Sequence, residues 1–304
     1  MNGPRQAQHA ESGVAVITAI LIMAMAASVA SFLAWQQGLW FRQVENMREQ
    51  AQAVALAEAG VEWARGILAE DARQGGADHL GELWAQPLLG LELENGRLSG
   101  GIVDAQARFN LNNLRGTGAE ADQYLAVFQR LLGILQLSPD LAERIRAWVN
   151  AGQVPQTPGA PPAGRLLFTA NSLYAVEGLE RASVDKLFPF VTALPAPAAT
   201  QINVNTASPE LLAAYLNTSV SVAQGLVEQR KSEPFKALEN FRARLPASLQ
   251  GLDEKFFNVS SQYFMVTSQA NVGRAQVRCR ALLNRQGGGA AAWPKVLWRV
   301  QGES

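Results

Sequence analysis

Few side chains in this sequence have the types and spacing that enzyme chemistry requires. The 304 residues contain two histidines, His9 and His79, and one cysteine, Cys279. Histidine is the usual acid or base near neutral pH, so little acid–base catalysis is expected. A single cysteine excludes an intrachain disulfide and any metal site built from several cysteines. The sequence also lacks a P-loop, a His-Glu-x-x-His zinc motif and a Gly-x-Ser-x-Gly elbow, so we predict that the chain is not an enzyme.

The peptide bond between Gly13 and Val14 is a stronger candidate for chemistry, as a place where the chain is cut. A polar leader, residues 1–13, ends there, and the 22 residues at 14–35 are almost all apolar and carry no charge. As a helix they span about 30 Å, the thickness of a membrane's hydrocarbon core. Three interpretations compete: a retained transmembrane anchor, a secretory signal peptide cut near Ala26, and a buried core helix, which the charge-free length disfavours.

The element that begins at Val14 is predicted to be one long helix. No proline occurs between Gly13 and Pro87. From Val44 to Leu68 apolar residues recur at steps of three and four, with charged and polar residues between them. The helix is therefore apolar first and amphipathic afterwards, as expected of a chain that leaves a membrane and packs on a folded domain.

The polar leader, Gly13 and the abrupt apolar start at Val14 resemble the leader of type IV prepilins. The resemblance implies that a prepilin peptidase cuts after Gly13 and that the new N-terminus at Val14 is methylated. It also implies that the retained helix anchors the chain in the membrane before the chain joins a fibre.

Thr18 occupies the fifth position of the predicted mature chain, where most pilins and pseudopilins have glutamate. A carboxylate in hydrocarbon is costly without a partner, whereas Thr18 can donate its hydroxyl to the helix carbonyl four residues earlier. A subunit without the glutamate suits the tip of a fibre, and in this the chain resembles the K-type minor pseudopilins of type II secretion systems. The alternative is that Thr18 is an ordinary membrane-helix residue.

Strands are predicted on both sides of a helical region. Leu98–Leu114 alternates polar and apolar residues, as one long strand or a strand pair would. Three β-rich segments follow near the C-terminus, at 262–269, 275–284 and 296–300, with connections at 270–274 and 287–289. They predict an antiparallel meander whose apolar face packs on the amphipathic half of the long helix.

The helical region contains an internal repeat. Residues 108–114, RFNLNNL, match residues 201–207, QINVNTA, and two helices with a further short helix, at 172–179 or 237–243, follow in each copy. The second copy looks like a helix-hairpin-helix or SAM-like unit. The K-type pseudopilins carry two such units between their strands, so this feature and the leader agree.

The helix-hairpin-helix pattern leaves a second function open, that of a membrane-anchored nucleic-acid-binding protein. In DNA-binding members the hairpin turn is rich in glycine, so that backbone N–H groups can approach phosphate. Here the turn is Asn217-Thr218-Ser219, and the chain balances 26 basic against 26 acidic residues. Nucleic-acid binding is therefore the less favoured function.

The resemblance also raises the question of calcium, which many K-type members are reported to bind through an acidic stretch after the first hairpin. Calcium prefers about six to eight oxygen ligands. The matching region, Ala147–Gly164, contains no carboxylate. Calcium is therefore doubtful here, no other cofactor is expected, and no metal-ligating residue is assigned.

These patterns predict an α+β protein. A long N-terminal helix packs on a small antiparallel sheet, and a large helical insert of two SAM-like units lies between the strands. The expected segments are the leader at 1–13, a transmembrane helix at 14–35, the pilin-like helix and first strands at 36–114, the insert at 115–257 with units at about 115–195 and 200–250, and the C-terminal strands at 258–304.

The predicted function is that of a minor pseudopilin at the tip of the type II secretion pseudopilus. There it would initiate or cap the fibre and be required for protein secretion across the outer membrane. The resemblance implies I- and J-type minor pseudopilins, the prepilin peptidase and the inner-membrane secretion platform as partners. The chain is expected to cross the inner membrane once, with its C-terminal domain in the periplasm. A secreted enzyme remains an alternative if the chain is cut near Ala26.

Overall fold

One helix, α1, runs from Arg5 to Gln74 and carries the chain from its N-terminus to the sheet. This computed structural model describes residues 5–151, 167, 169–285 and 293–303, with side chains described from Val14 onward. From Val14 to Arg48 every residue of α1 is exposed, and burial of one face begins at Ala53. The predicted helix, apolar first and amphipathic afterwards, is confirmed.

The described residues contain nine strands. They are β1 Leu88–Leu93, β2 Gly96–Asp104, β3 Phe109–Asn110, β4 Val191–Thr192, β5 Ile202–Asn203, β6 Phe257–Asn258, β7 Tyr263–Val272, β8 Ala275–Asn284 and β9 Lys295–Glu303. Five of them form an antiparallel sheet in the order β1-β2-β7-β8-β9. The predicted C-terminal meander is therefore confirmed as β7, β8 and β9.

The turn between β7 and β8 is tighter than predicted. Val272 pairs with Ala275, which leaves only Gly273 and Arg274 in the turn, and Gly273 has φ +52°, where glycine is favoured. The predicted glycine connection at 287–289 lies outside the described residues.

Strand β1 is absent from the sequence prediction. Its residues do not alternate between polar and apolar types, because the run LLGLEL is apolar nearly throughout. A signal is nevertheless present, since Asn95-Gly96 is a common hairpin dipeptide. Leu93 pairs with Gly96, so Glu94 and Asn95 form the turn to β2.

The strand predicted at 98–114 is confirmed as far as Asp104, but the prediction of a single strand or strand pair reaching Leu114 is wrong. Strand β2 ends at Asp104, whose carboxylate accepts a hydrogen bond from the Gln106 backbone N–H at 2.7 Å. This bond caps the 3-10 turn that follows. The next strand, β3, pairs in parallel with β4, separately from the five-stranded sheet. Alternation continues through the turn, so period alone could not reveal this break.

Small residues bring α1 close to the sheet. Its buried face consists of Ala53, Ala57, Gly60, Val61, Ala64, Leu68 and Ala69. A Cβ placed on Gly60 would lie 2.2 Å from Ser268 Oγ and 3.1 Å from Ser268 Cβ, both on β7. Packing density is high in such an interface, so a larger side chain at Gly60 must push the helix and sheet apart.

We expect Gly60→Val to destabilise the fold by about 1–3 kcal/mol, the usual cost of overpacking. Urea unfolding of the full chain in detergent, followed by tryptophan fluorescence, measures this. Gly66→Val is the matched control, because it carries the same helix propensity change while its Cβ meets only Trp293 at 3.7 Å. Equal unfolding free energies for the two variants would contradict the close packing of α1 on β7.

The helical insert follows β2 and returns to the sheet at β7. Its helices are α2 Ala119–Ile134, α3 Asp140–Ala151, α4 Arg181–Leu187, α5 Pro209–Leu216, α6 Val220–Ser232 and α7 Leu238–Ala243. The insert has a hydrophobic core of its own, separate from the one between α1 and the sheet. The predicted α+β architecture with a helical insert is confirmed.

The two copies of the sequence repeat fold in the same way. Each copy begins with a two-residue strand and ends with another that pairs with it in parallel, β3 with β4 and β5 with β6. Each first helix ends at a residue with positive φ, Gln136 at +55° and Asn217 at +51°. The repeat is therefore a structural one as well as a sequence one.

The short third helix differs between the copies. In the second copy it is α7, at the predicted place. In the first copy the helix predicted at 172–179 is wrong: Ala170–Ala175 form a 3-10 turn. Gly178, with φ +78°, breaks the helical path before α4 begins at Arg181.

Candidate assembly site

The exposed part of α1 is the most unusual surface of the protein. Within the described residues, one helix is long and apolar enough to cross a membrane, Val14–Gln74, with a mean hydropathy of 2.4 in its most apolar window. None of that window is buried. Water does not tolerate so large an apolar surface, so lipid or another protein must cover it.

The hydroxyl of Thr18 makes a hydrogen bond within its own helix. Its Oγ1 donates to the carbonyl of Ala15 at 2.9 Å, three residues earlier and not four as predicted. Ser28 makes the same kind of bond to Ala24, four residues earlier, at 2.8 Å. Because these hydroxyls are bonded within the helix, neither requires a partner in apolar surroundings.

Gly13 and Val14, the predicted cleavage site, both lie within α1. The exposed side chain of Val14 is the first of the long uncharged run. Cleavage after Gly13 and methylation of Val14 remain predictions, as does the assignment of Thr18 as a marker of the tip position.

A second apolar stripe continues beyond residue 35, the end of the predicted membrane segment. Leu33, Trp40, Val44 and Met47 follow one another at steps of seven, four and three, and between 51% and 67% of each residue is exposed. This spacing places them on one face of α1, as in helices that pack side by side. Sequence reasoning included Met47 in the amphipathic half, but the structure leaves it off the sheet and available to a partner.

Sequence comparison decides the family. Residues 107–196 and 202–259 match two family models described as protein K of the type II secretion system. The chain is also 32% identical to the type II secretion system protein K of Pseudomonas aeruginosa, across 89% of this chain and 88% of that protein. The chain belongs to the type II secretion system protein K family. A relative from Pectobacterium carotovorum subsp. carotovorum is 30% identical over 91% of this chain and 93% of its own.

A solved structure has the same fold. The chain matches a chain in the crystal structure of the GspK–GspI–GspJ complex from the type II secretion system of enterotoxigenic Escherichia coli, with a TM-score of 0.72 and 24% identity. The match covers 86% of this chain and all of that one. At this identity the likeness shows the fold, whereas the resemblance to K-type pseudopilins is confirmed by the family models and the relatives.

Cys279 and His79, two residue types that enzymes often use, lie in surroundings that do not resemble a catalytic site. Cys279 is fully buried in β8, and burial raises the pKa of its thiol, which favours the unreactive neutral form. His79 lies in a loop, where its Nδ1 accepts a hydrogen bond from the Gly81 backbone N–H at 3.1 Å. These positions agree with a family of secretion-machinery components.

The hairpin turn of the second copy uses its backbone N–H groups internally. The Thr218 N–H donates to the Ala213 carbonyl at 3.0 Å, and the Val222 N–H donates to Ser219 Oγ at 3.3 Å. Asn217 takes the left-handed conformation that often ends a helix. Two of the N–H groups near this turn are therefore already engaged within the protein.

Three cations near this hairpin are paired with carboxylates. The pairs are Lys231–Glu228 at 2.8 Å, Arg242–Glu254 at 2.7 Å and Arg244–Glu233. Arg230 is buried and donates to the Val204 carbonyl at 2.6 Å. A phosphate backbone binds through clustered free cations, so these pairings do not favour the nucleic-acid function.

The acidic cluster found among the described residues does not fit a calcium ion. Among them, one group of three acidic side chains comes together, Asp71, Asp78 and Glu82. Arg285 binds two of the three, with Nη1 2.6 Å from Asp71 and Nη2 2.6 Å from Asp78. Its guanidinium already neutralises charge that a cation would need. Most of the proline-rich region at 147–164, where family resemblance would look for calcium, lies outside the described residues.

Proposed function

We propose that the chain is a minor pseudopilin at the tip of the type II secretion pseudopilus. It initiates or caps the fibre and is required for secretion of proteins across the outer membrane. The observation that carries this proposal is α1: a helix exposed from Val14 to Arg48 that then packs on a pilin-like sheet. Such a helix has no stable place in water, and it has one in a membrane and in a fibre of similar helices.

The same helix and the family of the chain support its location in the cell. Residues 14–35 cross the inner membrane once, and the sheet and insert lie in the periplasm. A prepilin peptidase removes residues 1–13, and Val14 becomes the methylated N-terminus. The Thr18 hydroxyl is hydrogen-bonded within its own helix, so it needs no partner from a subunit ahead of it in the fibre. This supports the tip position.

The partners are the I- and J-type minor pseudopilins and the inner-membrane secretion platform. The solved complex that shares this fold contains GspI and GspJ with GspK. In this chain the stripe of Leu33, Trp40, Val44 and Met47 offers the apolar face that a partner helix requires. Small residues within the membrane segment, including Ala24, Ala27 and Ala30, allow close helix packing there.

Processing is the direct test. We expect the chain, when produced with a prepilin peptidase, to yield a mature protein that starts at methylated Val14, as read by intact mass and N-terminal sequencing. Gly13→Val should abolish cleavage, because the peptidase requires the small residue at the cut. Gly38→Val is the matched control, since Gly38 also lies in α1 with open space around it, and it should be processed normally.

Two results would contradict the proposal. An uncut chain that starts at Met1 would favour an anchored module of another kind. A start near residue 27 would show a signal peptide and favour a secreted protein.

A further inference from the structure

Asp104 is a buried carboxylate at the junction between the sheet and the insert. It ends β2 and is 1% exposed. Its Oδ2 accepts hydrogen bonds from Thr206 Oγ1 at 2.5 Å, Ser261 Oγ at 2.6 Å and Asn203 Nδ2 at 3.1 Å. Asn203 and Thr206 belong to the second copy of the insert, so Asp104 joins that copy to the sheet.

Ser261 links Asp104 to a second polar group. Its backbone N–H donates to Asp78 Oδ2 at 2.6 Å, and its carbonyl accepts from Arg285 Nη2 at 2.9 Å. Its Oγ accepts from Asn203 Nδ2 at 3.0 Å while donating to Asp104. The ends of α1, β2 and β8 and the start of β7 therefore meet the insert through one network.

The repeat shows that this docking is a specific feature of the second copy. Asn110 is the counterpart of Asn203 in the first copy, and it bonds within that copy, to the backbone of Leu194 and Asn112. Asn203 keeps the equivalent local bond, from the Asn205 N–H, but turns its Nδ2 outward to Asp78, Asp104 and Ser261. Asn110 therefore makes hydrogen bonds within its own unit, whereas its counterpart Asn203 fixes its unit to the sheet.

Charge in this junction is not balanced. The acidic groups that face it come from α1, the loop that follows and β2: Asp71, Asp78, Glu82 and Asp104. The cation among the described residues that bonds to this network is Arg285, directly after β8, and it is paired with Asp71 and Asp78. Asp104 is thus held by neutral donors from Asn203, Thr206, Ser261 and the Gln106 backbone.

We propose that Asp104 is a proton-controlled latch that fixes the second unit of the insert to the sheet. When Asp104 is ionised, the Ser261 and Thr206 hydroxyls donate to it. When it is protonated, its own O–H donates to one of these hydroxyls, because a hydroxyl can reverse its role without moving its oxygen. The network holds in both states, but the protonated state removes an unbalanced charge from the interior.

The direction of the pH effect follows. Burial raises the pKa of Asp104, against the opposing bonds from Ser261, Thr206, Gln106 and Asn203. The docked unit therefore binds a proton more readily than the undocked one. Docking is strengthened as pH falls through the raised pKa, and it is weakest where Asp104 is ionised.

Hydrogen exchange of the full chain in detergent, in steps from pH 7.5 down to about 4, near the ordinary aspartate pKa, and corrected for intrinsic exchange rates, tests the latch. We expect protection of peptides at 202–207 and 258–263 to increase as pH falls, by up to about tenfold per pH unit, the limit for one proton. Asp104→Asn should reduce this pH response to the part that Asp78 supplies, and an unchanged response would overturn the proposal. Asp122→Asn, at an exposed carboxylate paired with Arg146, should keep the full response.

A second pair of variants tests the docking itself. Asn203→Ala should speed exchange at 202–207 and 258–263 by about tenfold or more, because it removes the bonds from Nδ2 to the Asp104 carboxylate, Ser261 Oγ and the Asp78 carbonyl. Asn110→Ala should act on 109–114 and spare those peptides. A pH-independent exchange pattern in the wild-type chain, or the same pattern in both asparagine variants, would overturn the proposal even if Asp104→Asn does not fold. These readouts do not depend on processing or secretion.

Discussion

Replacing Arg285 with methionine is expected to cost about 3–5 kcal/mol of folding free energy, because it leaves buried carboxylates without their partner. Arg285 is 10% exposed and bonds to Asp78, which is 3% exposed, and to Asp71. The guanidinium also lies 4.7 Å from the centre of the Phe264 ring. Methionine fills a similar volume without charge, so the loss reports the missing ion pairs and hydrogen bonds. Urea unfolding of the full chain in detergent at pH 7.5 measures it.

Arg299→Met is the matched control for this variant. Arg299 pairs with Glu58 at 3.0 Å, but both side chains are more than a third exposed. Exposed ion pairs contribute little, so we expect a loss below about 1 kcal/mol. Similar losses for the two arginines would show that Arg285 does not hold a buried network.

The deficit of Arg285→Met should shrink in mild acid. Burial raises the pKa of Asp78 from 3.8 to about 6 even with Arg285 lowering it. Without Arg285 the pKa rises further, and a folded-state pKa above the unfolded value means that stability increases as pH falls through it. The variant should therefore regain stability relative to the wild-type chain between pH 7.5 and pH 5. A deficit that grows over this range would contradict the assignment.

Phe109→Ala is expected to have an effect of similar size, about 3–5 kcal/mol, because it empties a closed core site. Phe109 is fully buried and stacks on Phe128 with ring centres 4.9 Å apart. It also contacts Tyr124 in the same copy of the repeat and Tyr215 in the other, at 6.4 and 6.1 Å between ring centres. One side chain therefore joins the cores of the two copies, and we expect both to lose protection in hydrogen exchange.

The control removes an equally large aromatic side chain that the fold does not bury. Phe41 on α1 is 77% exposed, so Phe41→Ala should leave the unfolding of the insert unchanged. If Phe109→Ala loosened only peptides of the first copy, the two copies would be independent units and the shared core would be refuted.

The local sequence pattern was enough to predict the elements in which residue types recur at a regular spacing. The charge-free segment from Val14 to Trp35, with no proline before Pro87, specified one long helix, because length and hydropathy are properties of neighbouring residues. Alternation specified β8 at its exact bounds, Ala275–Asn284. The matching Asn-x-Asn segments at 110–112 and 203–205 specified the repeat.

Prediction from sequence patterns failed where a single residue changes the direction of the backbone. Residues after Asp104 continue to alternate, but the carboxylate caps the next turn and ends the strand. In the first copy of the repeat, Gly178 breaks the path of a helix that composition favours. Each outcome depends on a single bond or a single φ angle, which a count over a window of residues does not record.

The sequence by itself therefore determined the family, the membrane-length helix, the candidate cleavage site and the order of the segments. Tertiary structure alone decided the junction at Asp104. Its partners Asn203 and Ser261 lie 99 and 157 residues further along the chain, and Arg285 follows the end of β8. Nothing local distinguishes Asn203 from its counterpart Asn110. Their roles differ because Asn203 lies beside the buried carboxylate of Asp104, which requires hydrogen-bond donors.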